Sequence, residues 1–418
     1  MQRQWQSLAR ARRLAAKWLA ACARIAAWSA LVLAAQPARA AETVKIGLIL
    51  DMSGVYADIS GKGSATAAQL AIADFGGKVL GRNVELLVAD HQGRADIAAS
   101  KAREWFDVRK VDAIHDVTGS STALAVLNVA REKGKVLVLS GPASDRLTGD
   151  LCSATSVHYA YDSYALANSV ARTVARNGGK RWYFITADYA GGHDIVNAAR
   201  TALAQEGGSV AGEVRHPLGA SDFSSAVVRA QGSDAGVIGL ASFGGDLVNV
   251  IKSAREFGVR AGGRQQLASL LMYINDVHAI GLQTAQGMVL SEAFYWDMNA
   301  ETRAFSRRYF DKVRAMPNMS QAAVYSSVQH YLKAVKAAGS TDAAAVMRKM
   351  RELPVVDFYT KNGRIRDDGL MVHDMYLFEV KRPSESKYPW DYYKLIATIP
   401  GDKAFKPLAQ SGCPLVRQ

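Results

Sequence analysis

Two hydroxyl-rich stretches stand out as places where this sequence could do chemistry. Thr118-Gly119-Ser120-Ser121-Thr122 opens a helical pattern, and Ser140-Gly141-Pro142-Ala143-Ser144 follows a β-branched run. A helix start carrying hydroxyls adds side-chain donors to backbone N–H groups that lack intrahelical acceptors, which suits a small anion. Ser120 or Ser121 would serve equally as a plain N-cap. With Ser144 in a second loop on the same sheet edge, the three serines form a candidate anion site. A second set is aromatic: Tyr56, Tyr189, Met272-Tyr273 and Tyr295 stand at loop tips, and His158, Tyr159 and Tyr161 lie in the segment between the two halves of the pattern. Rings at loop tips have no core to fill, so they are expected to line a cleft, although tyrosines at element ends also cover ordinary cores. Catalytic spacing is missing. The chain has no Gly-x-Ser-x-Gly elbow, P-loop, Gly-x-Gly-x-x-Gly after the first strand, Cys-x-x-Cys or His-Glu-x-x-His, and its eight histidines lack ligand spacing. The expectation is a binding protein, not an enzyme, with no cofactor, no metal site and no catalytic residue.

The elements that must position these residues alternate. Strand patterns at 44–50, 84–90, 111–117 and 135–140 are separated by helical patterns at 64–77, 95–109 and 121–133. The alternation restarts with a helix at 162–177, strands at 181–188, 209–215, 237–241, 267–271 and 287–294, and helices at 192–206, 222–231 and 245–257. This is βαβ alternation, so two α/β units with parallel sheets are expected, and ligands of such sheets sit at the carboxyl ends of the strands. Helices at 299–315, 319–338 and 342–351 lead to strands at 375–383 and 392–400, which most simply extend the sheets already formed.

Composition sets the class. Of 418 residues, 49% are hydrophobic and 21% charged, as in ordinary globular proteins. The net charge of +13 could suggest nucleic-acid binding, but seven basic groups and no acidic one lie in residues 1–40, leaving +6 on the other 378. No nucleic-acid partner is expected. Basic residues before Ile25, an eleven-residue apolar run to Ala35 and Ala38-Arg39-Ala40 read as a cleavable secretory signal peptide over 1–40, with Ala41 the mature start and the periplasm the destination. Eleven apolar residues are too few to span a bilayer. Leu19-Ala20-Ala21-Cys22 approximates a lipobox and Arg12-Arg13 a twin-arginine signal, but the apolar run follows Cys22 where a lipobox needs it before. Removal of Cys22 leaves Cys152 and Cys413, which are expected to pair in an oxidising compartment, the alternative being two unrelated buried thiols.

The chain also resembles a known family. VKIGLILDMSG, the Ser120-Ser121-Thr122 helix start, the LSGPAS loop followed by Leu147-Thr148, Asp188-Tyr189-Ala190-Gly191-Gly192 and IKSAREFG at 251–258 are similar, in order and at βα spacing, to the periplasmic solute-binding proteins of ATP-binding-cassette (ABC) importers in the branched-chain amino acid (leucine/isoleucine/valine) group. The resemblance implies a type I periplasmic binding protein fold: two doubly wound parallel-sheet lobes joined by a three-crossover hinge. Residues 41–158 plus 295–366 would form one lobe and 159–294 plus 367–400 the other, with the tail 401–418 tied back by Cys413. It implies that Ser120, Ser121 and the 141–144 loop hold a ligand carboxylate, that Tyr189 closes over it, and that permease subunits of an importer are the partners. Amino-acid binders of the family carry an acidic residue where this chain has Leu271-Met272-Tyr273, so a ligand ammonium would go unpaired there at a cost of several kcal/mol. DVHAIGLQTAQG (276–287), AFYWDMN (293–299) and the MVHDMYLFEVKRPSES tail look like a subgroup that includes binders of aromatic acids. A small aromatic carboxylate is therefore the expected ligand. The alternatives are a branched-chain amino acid or amide with Asp276 or Glu292 as ammonium partner, a periplasmic ligand-sensing receptor, and, remotely, a secreted hydrolase.

Overall fold

The computed structural model describes Trp18 and residues 43–259 and 263–416. The signal peptide, lipobox and processing site expected in residues 1–40 fall, Trp18 apart, outside the described residues. Among those described, no helix is long and apolar enough to cross a membrane.

The first sheet is built from β1 (Val44–Leu50), β2 (Lys78–Val79), β3 (Arg82–Asp90), β4 (Ala113–Val117), β5 (Val136–Leu139) and β6 (Ser156–His158), in the order β2-β3-β1-β4-β5-β6. All neighbours run parallel except the short β2, which is antiparallel to β3. Every residue of β1 except Lys45 is buried, as a strand covered on both faces requires. Helices Gly61–Asp74, Ala95–Glu104 and Ser120–Lys133 provide the cover. The second sheet has the order β10-β9-β7-β8, with β7 (Arg181–Ala187), β8 (Ser209–His216), β9 (Val237–Ala241) and β10 (Gln266–Ser269) all parallel. Helices Ser163–Arg176, Ala190–Gln205, Ser224–Gln231 and Gly245–Glu256 complete this unit. Both expected α/β units are present.

The strand-rich tail departs from expectation. The short β12 (Arg364–Ile365) and β13 (Met371–Val372) form a two-stranded antiparallel pair, and β14 (Met375–Val380) and β15 (Tyr393–Ile399) do not extend either parallel sheet but join β11 (Val289–Glu292) in a separate antiparallel sheet, β11-β14-β15. Pairing across this distance along the chain depends on which edge the returning strand meets, and no local pattern carries that information. Residues 300–338 turn back to the first unit. Helices Ala300–Val313 and Met319–Ala338 lie against Gly61–Asp74, joined by the Arg308–Asp74 ion pair at 2.6 Å, the Tyr325 hydroxyl on Asp74 at 2.7 Å and the Gln329 amide on the Ala71 carbonyl at 2.7 Å.

Smaller differences have local causes. The first helix starts at Gly61, three residues before the pattern predicts, because glycines that read as a loop are needed for packing: a Cβ at Gly63 would stand 2.3 Å from the Tyr309 hydroxyl. The helix expected over 95–109 ends at Glu104 and continues as a π turn to Arg109. Cys152 and Cys413 are bonded, with Cα atoms 5.7 Å apart, so the tail is tied to the loop before β6 as expected.

Candidate functional site

Four loops leave the carboxyl ends of the first sheet and meet four from the second. The loop after β1 is folded by Asp51, whose carboxylate accepts from the Gly54 amide at 2.6 Å and the Tyr56 amide at 3.1 Å. This pins Tyr56 at the junction of the two units, where its ring centroid lies 6.4 Å from that of Tyr189. The loop after β3 is held by Asp90, which accepts from the Met52 amide at 3.0 Å, the Ser53 hydroxyl at 2.7 Å and the Gln92 amide at 2.8 Å. It presents His91.

After β4 the chain turns at Gly119, whose φ of 85° is open to glycine and strained for other residues. The helix Ser120–Lys133 begins there without a side-chain cap, so neither serine is the N-cap. The Ser120 hydroxyl instead accepts from the Ala143 amide at 3.3 Å and ties the helix start to the loop after β5. The first-turn N–H groups have no intrahelical acceptor. The 141–144 loop is clamped from behind: the Tyr161 hydroxyl donates to the Gly141 carbonyl at 2.7 Å, His158 Nε2 to that of Pro142 at 2.9 Å, and the Ser163 amide to that of Ala143 at 2.7 Å.

From the second unit, Tyr189 heads the helix Ala190–Gln205 and meets Phe243 edge-on at 6.0 Å. Gly191 leaves room for the Tyr189 hydroxyl and Ser120 Oγ, both within 2.8 Å of where its Cβ would stand. Two cavities result, sharing Tyr56, Thr118, Gly119 and Tyr189 in their walls. The larger, about 260 Å³, is also lined by Asp51, His91, Ser121, Thr122 and Leu218; the smaller, about 20 Å³, by Ser120, Ala143, Phe243, Leu271 and Tyr273. Asp51 is the one carboxylate in either wall. Burial, followed by the neighbouring Tyr189, raises the Tyr56 pKa well above its ordinary value, so this phenol stays protonated. Burial also lowers the His91 pKa and favours the neutral ring.

The structure thus gathers Tyr56, Ser120, Ser121, Tyr189 and Tyr273. It does not bring the other candidates to either wall. His158 and Tyr161 are buried buttresses of the 141–144 loop, as just described. Tyr159, also buried, shares a 2.8 Å bond with Ser326. Ser144 donates to Asp194, a contact that spends its hydroxyl between the two units. Met272 is core, with no exposed surface. Tyr295 belongs to an aromatic cluster with Phe378 and Tyr393, its hydroxyl donating to the Trp390 carbonyl at 3.1 Å. Asp276 accepts from the Tyr273 amide at 2.8 Å and Glu292 from the Tyr393 hydroxyl at 3.1 Å, and neither lines a cavity. Sequence reasoning missed His91 and Phe243, although both follow strands whose ends it marks as functional. No group of three or more His, Cys, Asp or Glu able to hold a metal occurs among the described residues.

Comparison with known proteins agrees with this architecture. The periplasmic binding protein family matches residues 43–387. A crystallised periplasmic binding protein from Burkholderia mallei is 53% identical over 90% of this chain and 100% of its own, with a TM-score of 0.88. A branched chain amino acid ABC transporter periplasmic ligand-binding protein from Burkholderia xenovorans LB400 is 40% identical over 89% of this chain and 100% of its own, with a TM-score of 0.79. An ABC transporter solute binding protein from Rhodopseudomonas palustris BisB5, in complex with 3,4-dihydroxybenzoic acid, is 21% identical over 86% of this chain and 98% of its own; its TM-score of 0.78 shows a shared fold. The chain belongs to the periplasmic binding protein family, with that family's type I fold, and is a solute-binding protein of an ABC transporter.

Proposed function

We propose that this protein captures a small aromatic or otherwise apolar carboxylate between the loops of its two parallel-sheet units and delivers it to importer permease subunits. The observation that carries this reading is the makeup of the cavity walls. They offer hydroxyls, first-turn N–H groups and the rings of Tyr56, Tyr189, Phe243 and Tyr273, while their single carboxylate, Asp51, already accepts two backbone amides. An acid finds donors and a ring finds rings. An ammonium finds only Asp51, whose two oxygens already hold the Gly54 and Tyr56 amides that fold the loop after β1, so pairing with it would compete with that fold, and leaving it unpaired costs several kcal/mol.

In this reading 41–158 plus 295–366 and 159–294 plus 367–400 act as lobes that open about the crossovers and close on ligand, because a ligand touching both favours the closed state. Branched-chain amino acids remain the second reading, favoured by the name of the 40% identical Burkholderia xenovorans relative. A thermal-shift and calorimetric screen of the mature protein against benzoate, hydroxybenzoates, hydroxycinnamates, leucine and aliphatic amides tests the choice. Ligand at about 100 times its dissociation constant adds about 2.7 kcal/mol and raises the melting temperature by a few degrees. A rise with leucine and none with any aromatic acid would overturn the proposal.

A further inference from the structure

A backbone irregularity stands directly before the helix-start turn. β1 and β4 pair in register from Ile46 with Ala113 to Leu48 with His115, but Ile49 then faces Val117, so Asp116 is an extra residue in the strand, a β-bulge. Its φ is 53°, in the left-handed region that Asp and Asn enter more readily than other side chains. The bulge re-aims the side chain. Successive side chains of a regular strand point to opposite faces, yet His115 Nδ1 meets the Ser327 hydroxyl at 3.2 Å and the Asp116 carboxylate accepts from the Ser64 hydroxyl at 2.9 Å, on the helices Met319–Ala338 and Gly61–Asp74 that pack against each other. Asp116 is 1% exposed, and burial raises its pKa to about 6 against the opposing pull of the Ser64 hydroxyl and the Gly141 and Ser140 amides. A left-handed residue and a buried carboxyl both cost stability, and a plain strand end requires neither.

Together the two features bring the loops after β4 and β5 into contact. A Cβ added to Gly141 would stand 3.0 Å from Asp116 Oδ1 and 3.5 Å from Thr118 Cα, so glycine is what lets the second loop close on both. The Tyr161 hydroxyl holds the Gly141 carbonyl at 2.7 Å, and the Ser60 and Thr118 hydroxyls bond to each other. Thr118 and Gly119 stand in the walls of both cavities and Gly141 in that of the smaller, while Asp116 lines neither. We infer that Asp116 is a positioning residue for ligand binding: the bulge turns its carboxyl toward Gly141 and so fixes the loop after β5 against the Thr118-Gly119 turn, which makes both face one ligand. The inference needs a ligand held between the two units and does not depend on that ligand being an aromatic acid.

The test measures benzoate, 4-hydroxybenzoate and leucine by calorimetry on wild type, Asp116→Asn, Asp116→Gly and Asp116→Ala. Circular dichroism sets the temperature well below the unfolding transition of every variant, so that lost stability does not register as lost affinity. Asparagine keeps the left-handed turn, with an amide oxygen for the Gly141 side and a nitrogen to donate to the Ser64 hydroxyl. Glycine keeps the turn without strain and removes the side chain, and alanine gives up both. The probe that wild type binds tightest is expected to bind Asp116→Gly and Asp116→Ala about tenfold or more weaker, the scale of one buried hydrogen bond to a charged group, and Asp116→Asn within a few-fold of wild type. Wild-type affinity in Asp116→Gly would leave only the turn as important and overturn the assignment, as would an Asp116→Asn no better than Asp116→Gly. Leucine as the tightest probe overturns the aromatic-acid reading and leaves this comparison to be read on leucine. Should the variants fail to fold, carboxyl ¹³C NMR of wild type replaces them: the Asp116 signal should move on saturation with that probe, and an unmoved signal rejects the coupling.

Discussion

Gly244→Ala should separate closure from folding. Gly244 has φ 56° and ψ −132°, a conformation that costs any other residue about 1–3 kcal/mol. That strain is internal to the turn after β9 and acts whether or not the two units touch. A second effect acts across the cleft. An added Cβ would stand 2.4 Å from the Val55 carbonyl oxygen and 3.2 Å from Tyr56 Cδ1, both in the loop after β1, and the adjacent Gly245 amide donates to that same carbonyl at 3.1 Å. Relieving the overlap requires the loops to separate by about an ångström and gives up that hydrogen bond, worth about 0.5–1.5 kcal/mol net. With lost packing against Tyr56, closure should be disfavoured by roughly 1.5–3 kcal/mol, equivalent to about a 10- to 100-fold weaker ligand affinity. Calorimetry gives the affinity, scanning calorimetry the ligand-free stability, and small-angle scattering the radius of gyration with saturating ligand. Gly281→Ala is the control: its φ of 84° and ψ of 146° are likewise open to glycine and strained for other residues, but nothing lies within 4 Å of where its Cβ would stand and it lines neither cavity. The ligand-free melting temperature should fall by a few degrees in both variants, and affinity should collapse in Gly244→Ala alone. Equal affinities in the two variants would refute the reasoning, because the cross-cleft contact would then have no part in holding ligand.

Other expectations follow from single features. Cys152→Ser with Cys413→Ser opens a loop with a sequence separation of 261; chain entropy sets an upper figure of about 5.6 kcal/mol, and an unchanged urea midpoint would show that the bond contributes nothing. Ser121→Ala should weaken aromatic-acid binding by about 1–3 kcal/mol and Tyr189→Ala by as much or more, read by calorimetry; wild-type affinity in either would remove that residue from the site. Asp116 is buried, and burial raises its carboxyl from 3.8 to about 6. The folded state therefore holds this proton more tightly than the unfolded chain, and its contribution to stability falls as pH rises from about 4 to 6, by about 3 kcal/mol. Asp116→Asn should remove that slope, so wild-type and variant stabilities from urea unfolding should diverge between pH 4 and 7 in favour of the variant. Parallel profiles would contradict the shift.

The site residues differ in how much of their role the sequence displays. Ser121 and Tyr189 are legible because each stands where a helix begins after a strand in a βαβ pattern, and that position sends a side chain to the sheet's carboxyl edge. Tyr295 occupies an equivalent position and is not at the site, because Trp390, 95 residues away, takes its hydroxyl. Ser144 fails for the same kind of reason, its partner Asp194 lying on a helix of the other unit. Asp90-His91-Gln92-Gly93 reads as a turn; that its imidazole enters a cavity wall depends on Gly93, Thr118 and Leu50 acting together.

What the sequence by itself determined is local. Hydrophobic periodicity sets the strands and helices of both α/β units, strand-end positions select a short roster of candidate residues, and an even pair of cysteines predicts the bond between Cys152 and Cys413. Tertiary structure alone decided which candidates share a cavity, that Asp51 is consumed by its own loop, and that β11, β14 and β15 form their own sheet. The physical reason is range. Periodicity and capping act over a few residues and are written along the chain, whereas hydrogen-bond satisfaction and strand pairing are settled by which distant groups the whole fold brings within bonding distance.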